Sequence, residues 1–304
     1  MKARGSVSSY LAKALLTLGH DPRRGMKKLS FIFLGAGGSA AIAAGGAILV
    51  LALDTGPHEV RRPSLADTTP VTAPINPAPA AARAAARKSI EARIAQVPEY
   101  QRFFDRLRLA LPSQYEATLN GFADRLVATG KEQSADAYLS EAVRDLRQAR
   151  GALAAKADGA ALARIFDVQL AMLDALSKTD QRLCVDFLYG GASEAFFQFS
   201  ANNRQLAGDM AIAGLDAIVD GQTKENTRQT PTDADFALLE KAMAAKGLSQ
   251  SEIEALLDGK TPDPPLQDAR LCQAGRVYLE MLRTLPEPVR LRIYALAVEL
   301  MARS

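Results

Sequence analysis

Three patterns of hydrophobic and polar positions succeed one another along the chain. Between Phe31 and Leu53, 23 consecutive residues carry no charge. As a helix rising about 1.5 Å per residue, this run is roughly 35 Å long, enough to cross a hydrocarbon core of about 30 Å. It predicts a transmembrane helix over residues 31–53. From Asp54 to Ala80 apolar periodicity disappears, and prolines recur at 57, 63, 70, 74, 77 and 79. Such a segment favours extended polyproline conformations of about 3.1 Å per residue, so it predicts a stalk reaching at most about 80 Å. From Ala81 to Ser304 apolar residues return with helical spacing, and no stretch alternates convincingly with period two. The predicted fold class is all-α: a multi-helix bundle of about ten helices on a single transmembrane helix and a Pro-rich stalk.

Proline, glycine and capping residues place the helices within 81–304. Ala81 to Gln96 forms the first, and Pro98 and Pro112 suit the first turns of the next two, the second of which Gly130 closes. Ser134 caps a helix running past Leu146 toward Lys156. The segment from Gly159 to Ser177 puts Leu162, Ile165, Phe166, Leu173 and Leu176 on one face. Further helices start at Thr179 or Asp180 and at Asn202 or Asn203, the latter ending at Gly221 before a polar loop to Gln229. Thr230-Pro231-Thr232-Asp233 and Ser249-Gln250-Ser251-Glu252 are helix starts, the second a capping box, with Gly247 and Gly259 as stops. Two last helices span Asp268 to Leu285 and Pro288 to Ala302. These helices are enough to bury a real core.

Charge gives the apolar run a direction. Residues 1–30 hold seven basic side chains against Asp21 alone, whereas Asp54 to Ala80 holds only Arg61 and Arg62 as basic residues. By the positive-inside rule the N-terminus is cytoplasmic and the chain after Asp54 is exported, which for a bacterial protein means an inner-membrane anchor and a periplasmic helical domain. A cleaved signal would have a shorter basic region and an apolar core of about 7 to 15 residues, so the run reads as an anchor. Within it Gly37, Ala41 and Gly45 share a face at four-residue spacing, a pattern that lets two membrane helices pair and suggests a homodimer contact. Ahead of it, Tyr10, Leu11, Leu15, Leu16 and Leu18 with Lys13 form either a short surface helix or an unstructured tail.

The net charge of +3 comes from the N-terminal flank, because the residues after Ser30 carry 30 basic and 33 acidic groups. No nucleic-acid partner is expected of so acidic a remainder. His20 and His58 are the two histidines, and none follows Arg83. Serine and cysteine nucleophiles that depend on an imidazole base are thereby excluded, as are the common zinc sites. Gly191-Ala192-Ser193-Glu194-Ala195 therefore fails as a nucleophile elbow, since its fifth position is Ala and no base is available. Asp258, Asp263 and Asp268 are spaced wrongly for a calcium loop, and no phosphate-cradling loop is present, so neither metal nor cofactor is expected.

Cys184 and Cys272 stand in matching frames, Asp180-Gln181-Arg182-Leu183-Cys184 and Asp268-Ala269-Arg270-Leu271-Cys272, where each Asp is placed to cap a helix. In an exported domain they are disulfide candidates; two buried thiols or a redox-active pair are the alternatives, the last disfavoured by the absence of a CxxC motif. Tyr189-Gly190-Gly191 interrupts a helical pattern and marks a kink, a close crossing or a ligand-exposed backbone. Tyr189, Glu194, Asn202, Asn203 and Arg204 are the binding candidates around it. The expected function is a non-enzymatic binding or scaffold module with a protein partner in the cell envelope. The alternative is an anchored peptidoglycan-cleaving enzyme using Glu194 as its acid.

Overall fold

The computed structural model describes residues 77–190 and 193–303. The predicted membrane helix with its Gly37, Ala41 and Gly45 face, the basic N-terminal segment and the stalk as far as Asn76 lie outside the described residues. Among those described, the chain forms twelve α-helices, one 3₁₀ segment and no strand. No helix among them is long and apolar enough to cross a membrane.

The first helix, α1 (Pro77–Ala95), starts four residues before the expected Ala81. A first-turn N–H has no intrahelical partner, so Pro79 is tolerated there and the helix takes the end of the predicted stalk. Helices α2 (Pro98–Ala110) and α3 (Pro112–Thr129) begin at the expected prolines, and α3 stops at Gly130 in the left-handed conformation, φ 65°. Antiparallel pairing of α1 and α3 is marked by Arg83 on Asp124 at 2.5 Å and by Arg87 gripping Glu116.

Helix α4 (Ala135–Arg150) starts at Ser134, whose hydroxyl accepts the Ala137 N–H at 3.1 Å. It does not continue to Lys156. Residues Gly151–Lys156 tighten into a 3₁₀ segment, which presses Ala154 into the core and brings Gly151 against Ala302. Helix α5 (Gly159–Thr179) buries the expected face, with Leu162, Phe166 and Leu176 fully enclosed.

The region expected to hold one interrupted helix holds two. Helix α6 (Gln181–Leu188) ends at Tyr189, Gly190 turns with φ 73°, and Ser193 starts α7 (Glu194–Asn202) by accepting the Phe196 N–H at 3.2 Å. Gly190 thus follows a helix end rather than a kink. Helix α8 (Arg204–Lys224) then runs through the middle of the domain, packing on α2, α5 and the 3₁₀ segment. It extends three residues past Gly221. Its parallel contact with α2 carries ion pairs from Arg102 to Asp209 at 3.2 Å and from Arg106 to Asp216 at 2.7 Å.

Helices α9 (Asp233–Ala245), α10 (Gln250–Leu257), α11 (Asp268–Thr284) and α12 (Glu287–Arg303) complete the fold. Both helix starts expected here are full capping boxes, Thr232 with Asp235 as well as Ser249 with Glu252. The two capping carboxylates are buried, and each is also held by an arginine from a later helix. Arg292 donates to both oxygens of Asp235, at 2.6 and 3.0 Å, and Arg270 meets Glu252 at 2.7 Å. Local caps thereby become tertiary clamps.

Cys184 on α6 and Cys272 on α11 lie at disulfide distance, Cα–Cα 5.7 Å, with both side chains buried. Closing a loop of 88 residues contributes roughly 4.5 kcal/mol in a chain-entropy account. The matched frames are not matched caps, however. Asp180 caps α6 by accepting the Leu183 N–H at 3.1 Å, whereas Asp268 is the first residue inside α11 and faces Arg182 at 3.6 Å.

Two glycines of α8 distinguish packing from propensity. A β-carbon on Gly221 would fall 1.9 Å from the Leu153 carbonyl oxygen, while one on Gly214 would meet no atom within 4 Å. Gly221→Ala is expected to lower unfolding stability by about 3 kcal/mol or more through backbone displacement. Gly214→Ala should raise it by about 0.5–1 kcal/mol through reduced chain entropy. Denaturant titration of the two variants against the unmodified chain checks the opposite signs.

The Asp235 clamp predicts an acid limb in stability. Hydrogen bonding from Arg292 is the main reason its carboxyl is pulled down to about 2 from an ordinary 3.8. A depressed carboxyl stabilises the fold above its unfolded value, and that stabilisation, about 2 kcal/mol, is lost as pH falls from about 4 toward 2. Unfolding titrations at stepped pH should show this slope in the unmodified chain and a flattened one in Asp235→Asn.

Candidate functional site

One face of α4 supplies a long wall. Asp136, Leu139, Ser140, Val143, Arg144 and Arg147 recur at helical spacing and line a single groove of about 250 Å³. Facing them, α8 contributes Ala207, Met210, Ala211, Gly214 and Ile218, and α7 contributes Ser193, Glu194, Phe197 and Ser200. Ile165 of α5 and Val298 and Met301 of α12 also line it. The small residues of α8 leave the space: on this stretch, alanine and glycine stand where larger side chains would fill the gap between the helices. The lining is predominantly apolar, and polar groups come from the ends of α4 and from α7.

At the N-terminal end of α4 the polar groups are mutually satisfied. Tyr100 donates to Asp136 Oδ1 at 2.8 Å, and Arg204 donates to both Asp136 oxygens at 3.1 Å. Burial opposes ionisation of Asp136, but the bonds from Arg204 and Tyr100 outweigh it and hold the carboxyl below its ordinary value. Burial also pushes the Tyr100 hydroxyl well above the usual tyrosine range, with Asp136 adding to the shift. Both groups are fixed in one protonation state at neutral pH and close this end as a neutralised cluster.

Eight to eleven residues further along α4 the lining turns cationic. Arg144 makes loose ion pairs, 3.6 Å to Glu141 and 3.5 Å to Asp145. Burial, and then the neighbouring charge of Arg144, lower Arg147 from its ordinary value. Two arginines on adjacent turns of one helix, beside apolar surface, concentrate positive charge at that end.

Of the five binding candidates, Glu194 alone lines the groove. Its exposed carboxylate accepts a hydrogen bond from Gln198 at 2.8 Å, one helical turn along α7. Arg204 acts at the groove's edge through Asp136. Tyr189 is half-buried beyond the end of α6, with its hydroxyl pushed up by that burial. Asn202 is the exposed last residue of α7, and Asn203 donates to the Phe199 carbonyl at 2.8 Å, holding the α7–α8 corner. None of these last three lines the groove. Arg144, Arg147, Phe197 and Met210 were not anticipated, although arginines at positions 144 and 147 share a helix face with Leu139 and Val143, a visible departure from a simple apolar stripe.

Among the described residues no group of three His, Cys, Asp or Glu side chains is arranged to hold a metal ion. No protein family matches the chain, and neither a curated protein nor a solved structure is significantly similar to it.

The Tyr100–Asp136–Arg204 cluster carries its own prediction. Asp136→Ala strands a buried hydroxyl and a guanidinium, so a loss of about 2–3 kcal/mol is expected. Arg204→Gln leaves the tyrosine bond in place and should cost about 1 kcal/mol. Denaturant unfolding of both variants tests the ranking.

Proposed function

We propose that this chain is a single-pass inner-membrane protein of bacterial type, with its N-terminus cytoplasmic and its helical domain held in the periplasm by the Pro-rich segment. The domain is a non-enzymatic binding or scaffold module of the cell envelope, with the groove between α4, α7 and α8 as its binding surface. The groove carries this reading: an apolar channel with a few placed polar groups is the common form of a ligand or partner site. The uncharged run at 31–53 and its basic flank support the anchor and its direction. A buried cysteine pair at disulfide distance agrees with an oxidising compartment. The transmembrane small-residue face at Gly37, Ala41 and Gly45 supports pairing of two anchors.

The enzymatic alternative rests on Glu194, which does border the groove. Against it stands the carboxylate's surroundings, an exposed first turn and an i,i+4 bond to Gln198. A peptidoglycan zymogram of the full chain and of Glu194→Gln separates the two readings. No clearing by either protein is expected. Clearing by the unmodified chain that Glu194→Gln abolishes would overturn the binding-module reading.

A further inference from the structure

A helix of fewer than about twelve residues is marginal on its own in water, so its place in a fold is set by what holds it. Helix α6 has eight residues and α7 nine, and they follow one another in the chain. Helix α6 packs on α5 and α11, and its buried fixed points on α11 lie one turn apart. Cys184 meets Cys272 with 5.7 Å between α-carbons, and Leu188 sits where a β-carbon on Gly275 would overlap it. Arg182 adds only an exposed ion pair to Asp268 at 3.6 Å. The chain has no other cysteine, so no second bond can take over the covalent tie.

Helix α7 is held differently. Among the described residues its side-chain hydrogen bonds close within the helix and its caps: Ser193 accepts from the Phe196 N–H, Gln198 donates to Glu194, and Asn203 donates to the Phe199 carbonyl. Its hold on neighbouring helices is therefore apolar, through the buried rings of Phe196 and Phe199. Phe196 stacks on Phe187 of α6 with 5.4 Å between centroids, and the same residue lines the groove beside Phe197. The other neighbours of α7, α4 and α8, are the helices that face it around the groove. One ring thus joins the helix that carries the cysteine bond to the groove wall.

From this succession, Cys272 to Cys184, Phe187 to Phe196 and Phe196 to the groove, we propose that the groove is redox-conditional: its α7 wall stands in the oxidised protein and is displaced in the dithiol. The oxidant is itself a disulfide. One cysteine thiolate attacks it, forming a mixed disulfide and releasing one thiol, and the second cysteine thiolate then displaces the other. The Cys184–Cys272 bond forms as the oxidant's bond breaks, and two electrons and two protons pass to the oxidant. The proposal rests on the groove being the binding surface and adds when that surface exists, which is after the domain enters an oxidising compartment.

Amide hydrogen exchange of the full chain in detergent micelles, read by mass spectrometry, tests this. Cys184→Ala combined with Cys272→Ala is expected to speed exchange of α6 and α7 at least tenfold while α2, α5 and α8 keep their protection, the pattern of a local opening. Uniform acceleration through every helix of the folded double variant would overturn the proposal, because the bond would then act on the unfolded chain alone. Unchanged protection of α7 would overturn it too. Phe196→Leu keeps the cysteine bond and decides the matter should the double variant fail to fold. In it α7 is expected to exchange tenfold faster with α6 unaltered, and an unaltered α7 breaks the proposed link. The chain contains no tryptophan, so Phe197→Trp supplies a single reporter on the groove wall. Its emission should shift to the red when a water-soluble phosphine reduces the cysteine pair and is itself converted to the phosphine oxide. Emission that stays put once both thiols are free overturns the proposal. Both readouts report the wall and use no ligand, so their failure leaves the binding-module reading standing. Peptidoglycan clearing that Glu194→Gln abolishes would overturn that reading and leave the redox-conditional wall in place.

Discussion

Helix α8 occupies the centre of the domain because glycine lets two other backbones reach it. At Gly221 the Leu153 carbonyl lies where a β-carbon would be, and at Gly208 the Glu99 carbonyl oxygen would sit 2.8 Å from one. The first contact locks the 3₁₀ segment against the C-terminal part of α8, and the second sets the start of α2 against its N-terminal part. Helices α2, α4, α5 and α7 pack on this axis directly. Helix α5 lies on α8, α12 seals the 3₁₀ segment from the other side, and Phe166 stacks on Tyr294 at 3.9 Å between centroids to join α5 to α12. A central helix built of small residues gains less from its own side-chain burial than a leucine-rich one would. It compensates through close approach, where many short contacts add dispersion that no single larger side chain provides.

The same economy explains the groove. Between the two close crossings, α8 lines the groove with Ala211 and Gly214, and a β-carbon on Gly214 would meet no atom within 4 Å. Helices held together at the two ends of α8 and spaced by alanine in between leave a channel along their length. The channel is thus a consequence of the packing that stabilises the core. Its chemistry, by contrast, comes from α4, whose N-terminal acid is neutralised by Tyr100 and Arg204 and whose C-terminal half adds Arg144, paired with Glu141 and Asp145, and Arg147.

Helical class, most helix starts and the cysteine pair were legible because each has a local or compositional cause. Pro98, Pro112, Ser134 and Ser249 act on the first turn of their own helices, and their effects do not depend on what packs nearby. Three features differ from the sequence reading, and two of them depend on distant residues. The conversion of Gly151–Lys156 to 3₁₀ geometry follows from contacts with α8 and α12, and nothing within those six residues signals it. Separation of α6 from α7 does have a local signal, Ser193 after a pair of glycines, because a serine in that place suits a helix N-cap as well as a nucleophile elbow. Arg270 and Arg292 find their buried carboxylates only after four helices have assembled.

The candidate site was legible only where it is most exposed. Glu194 is a binding candidate by its place after the glycine pair, and the structure puts it on the groove lining with Gln198 as its hydrogen-bond donor. The residues that give the groove its character, Arg144 and Arg147, are ordinary in sequence, since arginine on a helix is usually a solvated side chain. Position makes them different: apolar walls rise beside them, and burial together with the positive charge of Arg144 one turn away pulls Arg147 below its ordinary value.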